Sequence, residues 1–240
     1  MMNVYENGSL SEKLASNPYP GRGIVLGESS DGRYSVAAYF IMGRSVNSRN
    51  RVSLPEPDGI RTEAFDPSKL ADPSLIIYHP VRALGRSLIV TNGDQTDTIR
   101  DYLEQGLSME QALRTREFEP DGPNWTPRIS GLVRADGSFE LSILKSDGGD
   151  ARCCVRSFFD YDAPVPGTGR FLSTYCDNGS PLPSFAGEPI AFAVPDDVVS
   201  FADAVWAALN EENRVALYAC RIDLADWTVS EHVINKHMGG

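Results

Sequence analysis

The chain has 240 residues, 41% hydrophobic and 23% charged, a balance that suits one soluble globular domain over residues 1–240 and shows no internal repeat or low-complexity tract. Its formal net charge of -11 argues against nucleic acid or an anionic membrane as partner, so any basic site must be local. Lys occurs only at Lys13, Lys69, Lys145 and Lys236, and the other basic residues are Arg, the side chain suited to bidentate phosphate or carboxylate recognition.

The first sixteen residues carry Glu6, Glu12 and Lys13 without a continuous apolar region, which excludes an ordinary secretory signal. No later segment approaches the roughly 20 apolar residues of a membrane span. A cytoplasmic location is expected, and a homo-oligomer is compatible with the sequence. Strand-like runs follow at 23–27, 34–42, 75–78, 87–91, 129–134, 139–144, 153–159, 189–194 and 214–222, most of them bounded by Gly, Pro or Asp. Asp31-Gly32 and Asp136-Gly137 separate pairs of these runs and predict hairpins. Residues 55–73 and 164–189, rich in Pro, Gly, Ser and Asp, read as long surface loops or lids. Cys153, Cys154, Cys176 and Cys220 form no CxxC pair, so reduced thiols are expected and neither zinc nor a disulfide framework is suggested.

Helical signals are fewer. Residues 98–105 and 109–116 read as helices separated by Gly106, the second opened by a Ser108/Gln111 capping box. A longer helix is predicted over 196–213, with Val198, Ala202, Val205, Trp206 and Leu209 near helical spacing and Trp206 in the core. Blocks of strands with few helices predict an α+β fold, two sheets covered by helical layers.

Four segments concentrate chemistry. In Gly43-Arg44-Ser45-Val46-Asn47-Ser48-Arg49-Asn50-Arg51, three guanidiniums and several polar side chains follow an apolar strand, which suits either an anion clamp or a solvated loop. Tyr78, His79 and Arg82 end another apolar run, a set suited to proton transfer and charge stabilisation. In Ile89-Val90-Thr91-Asn92-Gly93-Asp94-Gln95-Thr96-Asp97, a buried-type strand enters a dense polar turn. There Asn92-Gly93 allows positive backbone dihedrals, and the helix that follows offers free N–H groups to an anion. Arg128, after Pro123 and Pro127, stands at the entry of a strand, placed to face a pocket or to form an ion pair. His232 and His237 read as surface residues. P-loop, GxGxxG, GxSxG and HExxH motifs are missing, so standard ATP, NAD, serine-hydrolase and zinc-hydrolase readings are weak.

Taken together, Arg44-Ser45, Asn50-Arg51, Tyr78, Val90-Thr91-Asn92-Gly93-Asp94-Gln95-Thr96-Asp97-Thr98-Ile99 and Thr126-Pro127-Arg128-Ile129 resemble the archaeal-type inosine monophosphate (IMP) cyclohydrolase family. His79 departs from that family's usual asparagine, and the loop near Asn47 is longer. The resemblance implies a four-layer αββα sandwich similar to N-terminal nucleophile hydrolases but without an N-terminal nucleophile, in keeping with the start Met1-Met2-Asn3. It implies closure of the purine ring of 5-formamidoimidazole-4-carboxamide ribonucleotide to IMP and water, in purine biosynthesis. Nucleophile and electrophile share one molecule, so conformational restriction supplies much of the acceleration and neither a metal nor an organic cofactor is required. By this resemblance the catalytic set is Tyr78, Asp97 and Arg128, and the substrate-binding set is Arg44, Ser45, Asn50, Arg51, Asn92, Gly93 and Thr96. The alternatives are a non-catalytic purine-nucleotide-binding relative and an amidohydrolase acting on another formamide or cyclic amide.

Overall fold

The computed structural model describes residues 7–70, 73 and 75–238. A short helix, α1 (Leu10–Ser16), precedes β1 (Arg22–Glu28) and β2 (Tyr34–Met42), which pair across the Asp31-Gly32 turn. A single-turn helix, α2 (Val46–Arg49), leads to β3 (Val52–Glu56), β4 (Gly59–Glu63), β5 (Val81–Ala83) and β6 (Leu88–Thr91). Helices α3 (Gln95–Glu104) and α4 (Met109–Leu113) come next, then β7 (Arg128–Val133), β8 (Phe139–Asp147), β9 (Asp150–Tyr161), β10 (Thr168–Ser173) and β11 (Ile190–Ala193). Helix α5 (Val198–Ala208), β12 (Arg214–Asp223) and β13 (Val229–Asn235) complete the described chain.

The strands form two antiparallel sheets, one of six in the order β11-β10-β1-β2-β12-β13 and one of seven in the order β3-β4-β5-β6-β7-β8-β9. Both faces of the central strands are covered, which explains why β1 and β2 read as unbroken apolar runs rather than as alternating ones. Ile24, Leu26, Tyr39 and Ile41 face a cluster shared with Val90, Ile129 and Leu141 of the other sheet. Their sequence neighbours Val25, Phe40 and Met42 pack instead with Leu10, Leu14, Phe201 and Val205 of α1 and α5. A third cluster joins Ile89, Leu132 and Leu144 to Ile99, Met109 and Leu113 of α3 and α4. Each fully buried Leu, Ile or Phe in these clusters is worth about 1.5–3 kcal/mol relative to exposure. Between the sheets, Gly131 on β7 leaves room for β1, since a Cβ there would come within 2.9 Å of Leu26 Cδ1.

The Ser108/Gln111 capping box is present, with the Gln111 amide donating to Ser108 Oγ at 3.1 Å and the Ser108 amide to Gln111 Oε1 at 2.8 Å. Helix α5 is shorter than the predicted 196–213: Asp197 caps it by accepting from the Ser200 amide, and it ends at Ala208. Three expectations fail. Residues 75–78 are buried at Ile76 and Tyr78 but form a turn, with the Ile76 and Ile77 amides bonded to the Pro73 carbonyl. Residues 55–73 are not one loop, because β3 and β4 form a hairpin there; Pro55 is tolerated since β3 is the sheet edge, where a missing N–H costs no ladder bond. Residues 164–189 contain β10, which lies between β11 and β1. Among the described residues no helix is long and apolar enough to cross a membrane. The start Met1-Met2-Asn3 lies outside the described residues.

Candidate active site

A cavity of about 250 Å³ opens where β1 begins and β2 ends. Arg22, the first residue of β1, enters it beside Arg51, which immediately precedes β3. Arg44 and Ser45 reach it from the turn after β2, Glu119 from the connection between α4 and β7, and Tyr19 and Tyr175 from the flanking loops.

Three of these charges are almost sealed from water: Arg51 is 3% exposed, Glu119 5% and Arg22 8%. Among the described residues Arg22 Nε, Arg51 Nε and Arg51 Nη1 are buried without a hydrogen-bond partner. Buried guanidinium donors without acceptors are costly, and an anionic or carbonyl ligand would relieve that cost. Burial, and after it the neighbouring Arg22, lowers the pKa of Arg51. Burial also opposes the charge on Arg22, but Glu119 and the phenols of Tyr19, Tyr78 and Tyr39 outweigh it and raise its pKa. At Glu119 burial dominates and raises the pKa above the ordinary carboxylate value, although Arg22 and Arg128 pull the other way. The Tyr39 and Tyr78 hydroxyls are 2.8 Å apart, and burial together with Tyr78 pushes Tyr39 well above an ordinary phenol. Across the cavity the Tyr175 hydroxyl lies 2.6 Å from Thr126 Oγ1.

The residues singled out by sequence divide into four groups. Arg44, Ser45 and Arg51 line the cavity. Arg44 stacks on Tyr19 with its guanidinium carbon 5.0 Å from the ring centroid and donates to Asn178 Oδ1 at 2.6 Å and to the Gly179 carbonyl at 2.8 Å. Arg128, Gly93 and Tyr78 are outside the lining but adjoin Glu119 or Arg22. Arg128 Nη1 donates to Gln95 Oε1 and meets Asp94 Oδ1, both at 2.7 Å. Burial works to raise the Asp94 pKa, but Arg116 and Arg128 outweigh it and lower it.

Gly93 is not in a positive-φ conformation, so the positive dihedrals that Asn92-Gly93 allows are not used there. It is needed for space: a Cβ there would lie 2.6 Å from Arg128 Nη1, 2.7 Å from Gln95 Oε1 and 3.7 Å from Glu119 Oε1. Asn92, Thr96 and Asn50 are internal braces. Asn92 Oδ1 accepts from the Ile129 amide at 2.9 Å and from Gln95 Nε2 at 3.0 Å, and its Nδ2 donates to the Pro127 carbonyl at 2.9 Å. Thr96 Oγ1 pairs with Thr91 Oγ1 at 2.6 Å, and Asn50 clasps Asp66 through 2.7 and 2.8 Å bonds. Asp97 lies apart from the lining: it is exposed and pairs with Arg82 Nη1 at 3.0 Å, near His79 at 3.7 Å. His79 itself sits 3.2 Å from Glu56.

A model of the family described as IMP cyclohydrolase-like protein matches residues 19–226. The chain belongs to that family. The IMP cyclohydrolase of Methanosphaera stadtmanae is 29% identical over 164 residues, 67% of this chain and 75% of that relative. That of Methanopyrus kandleri is 31% identical over 161 residues, 65% of this chain and 75% of the relative. For the Halobacterium salinarum enzyme the figures are 31% over 133 residues, 54% and 64%.

Within this IMP cyclohydrolase-like chain, sequence reasoning missed Arg22, Tyr39, Glu119 and Tyr175. Arg22 sits at the start of an apolar strand, where a charge that ends up buried is informative. Glu119, in Arg116-Glu117-Phe118-Glu119-Pro120-Asp121, gives no such signal among its acidic neighbours. Its burial depends on the fold of the whole connection, including the Glu119 amide bond to the Thr126 carbonyl at 2.9 Å.

Proposed function

We propose that this IMP cyclohydrolase-like protein is an IMP cyclohydrolase. It closes the purine ring of 5-formamidoimidazole-4-carboxamide ribonucleotide, a small-molecule nucleotide, giving IMP and water in cytoplasmic purine biosynthesis. One observation carries the reading: two buried guanidiniums with unused donors share a cavity with a buried carboxylate of raised pKa. The chain acts as a single domain, and the two sheets with helices packed on their outer faces support a four-layer αββα arrangement similar to N-terminal nucleophile hydrolases.

In the reaction the carboxamide nitrogen bonds to the formyl carbon, and the formyl oxygen leaves as water. That water carries one proton from the carboxamide nitrogen and one from the formamido nitrogen. Glu119 accepts the first proton and returns it to the departing oxygen; a raised pKa makes both transfers accessible. Arg22 and Arg51 hold the negative charge that develops on the formyl oxygen, in a site where burial strengthens such contacts. The Tyr78–Tyr39 hydroxyl pair orients the reacting end, and Arg128, anchored by Gln95 and Asp94, supports the Glu119 carboxylate. Arg44 and Ser45, at the exposed mouth, take the phosphate, for which a guanidinium fork is suited. Pressing the two groups of one substrate together in a small cavity supplies the remaining acceleration.

The decisive experiment incubates purified, chelator-treated protein with the formamido ribonucleotide and follows purine absorbance against a no-enzyme control. Accelerated closure is expected. Tight binding of the ribonucleotide with no acceleration would overturn the reading.

A further inference from the structure

The C-terminal segment lies beyond the family match, which ends at residue 226, yet it returns to the loop that carries the cavity arginines. His237 stacks on Phe65 with ring centroids 4.6 Å apart and 18° between the planes. Its Nε2 lies 3.1 Å from the Arg49 carbonyl oxygen. That oxygen also accepts the Arg51 amide at 2.9 Å, so one acceptor joins the imidazole to the backbone of the most buried cavity guanidinium.

The loop needs such ties. Helix α2 is a single turn with no buried residue, so apolar packing does not hold it. Arg51 Nε and Nη1 have no partner among the described residues, so the placement of that side chain depends on its backbone rather than on contacts at its tip. Hydrogen bonds supply the ties from three directions. Arg49 Nη2 donates to Asn213 Oδ1 at 2.8 Å and to Glu212 Oε1 at 3.0 Å, and its Nε reaches the Gly43 carbonyl at 2.9 Å. Asn50 binds Asp66. His237 supplies the third tie.

We propose that His237 is a positioning residue for the arginine loop: with Nε2 protonated it donates to the Arg49 carbonyl and fixes the point from which Arg51 enters the cavity. The inference rests on reading that cavity as the ring-closing site. His237 is exposed, outside the family match and far from the cavity in sequence, so its effect reaches substrate only through the loop backbone.

Two substitutions separate the hydrogen bond from the stack. His237→Phe keeps an aromatic ring against Phe65 and removes the donor; His237→Gln keeps an amide donor and removes the ring. KM and kcat for ring closure are measured together with hydrogen–deuterium exchange across residues 43–51 in the full chain. His237→Phe is expected to raise KM about two- to tenfold, the yield of one net hydrogen bond, with kcat within about twofold and faster exchange at the Arg51 amide. His237→Gln is expected to restore both. Equal impairment in the two variants, or His237→Phe matching wild type in KM and exchange, would overturn the proposal. If the wild-type protein closes no ring, the functional reading fails, while the exchange comparison still decides whether His237 holds the loop.

Discussion

At the turn after β6 the Asn92 side chain makes three hydrogen bonds, donating to the Pro127 carbonyl and accepting from the Ile129 amide and Gln95. A short way off, in the cavity at the start of β1, Arg22 and Arg51 keep guanidinium donors without partners. Both regions are buried and polar, and Arg128 and Gly93 lie between them. A satisfied network fixes geometry, whereas unsatisfied buried groups hold binding capacity in reserve. The polar turn is therefore read as the frame of the site, and the arginine–glutamate cavity as the place where substrate is held.

The sharpest way to break that division is Glu119→Gln. Losing the proton carrier should lower kcat by about 100-fold or more. Stability should move differently. Burial raises the folded-state pKa of Glu119, so its contribution to stability is present below the unfolded value of about 4.3 and is lost as pH rises through the raised folded value. Gln does not titrate, so the Tm of the variant relative to wild type should rise across that window. Unchanged turnover, or a relative Tm that falls with pH, would remove Glu119 from its role.

Asn92→Ala tests the frame. It strands the Ile129 amide, the Pro127 carbonyl and Gln95, which should cost about 2 kcal/mol in denaturant unfolding. A variant of wild-type stability that nevertheless fails to bind substrate would make Asn92 a substrate ligand instead of a brace. Tyr78→Phe removes the hydroxyl that meets Tyr39, and kcat should fall by about tenfold, the worth of one hydrogen bond made in the transition state. If turnover is unchanged, the phenol pair has no part in the chemistry.

These predictions also mark what the sequence made legible. The hairpins at Asp31-Gly32 and Asp136-Gly137, the Ser108/Gln111 box and the long apolar strands are local features, and local turn and capping chemistry was enough to find them. Residues 75–78 misled because apolar character reports burial and not strand geometry; Thr62 Oγ1, accepting from the Tyr78 amide at 3.1 Å and donating to the Ile76 carbonyl at 2.7 Å, replaces part of a ladder there. Strand β10 was hidden among Pro- and Gly-rich flanks, although Phe171 and Leu172 pack on opposite faces of its sheet. Of the site, the motif arginines 44, 51 and 128 were legible by type. Arg22 and Glu119 acquire their character only from burial beside one another, a long-range property.

The smallest expected effect belongs to Asp97. Its motif position, two residues into α3, marks it for the catalytic set, yet the carboxylate is exposed and joins Arg82, which also binds Asp58 at 3.0 Å. Exposed ion pairs contribute about 0–1 kcal/mol, and here Asp58 remains as a second partner for the guanidinium. Asp97→Asn should therefore leave kcat/KM within about twofold and shift unfolding by no more than about 0.5 kcal/mol, less at high salt. A loss of turnover comparable to that of Glu119→Gln would mean that substrate draws the start of α3 into the cavity, and the line between frame and binding site would have to be moved to include that helix.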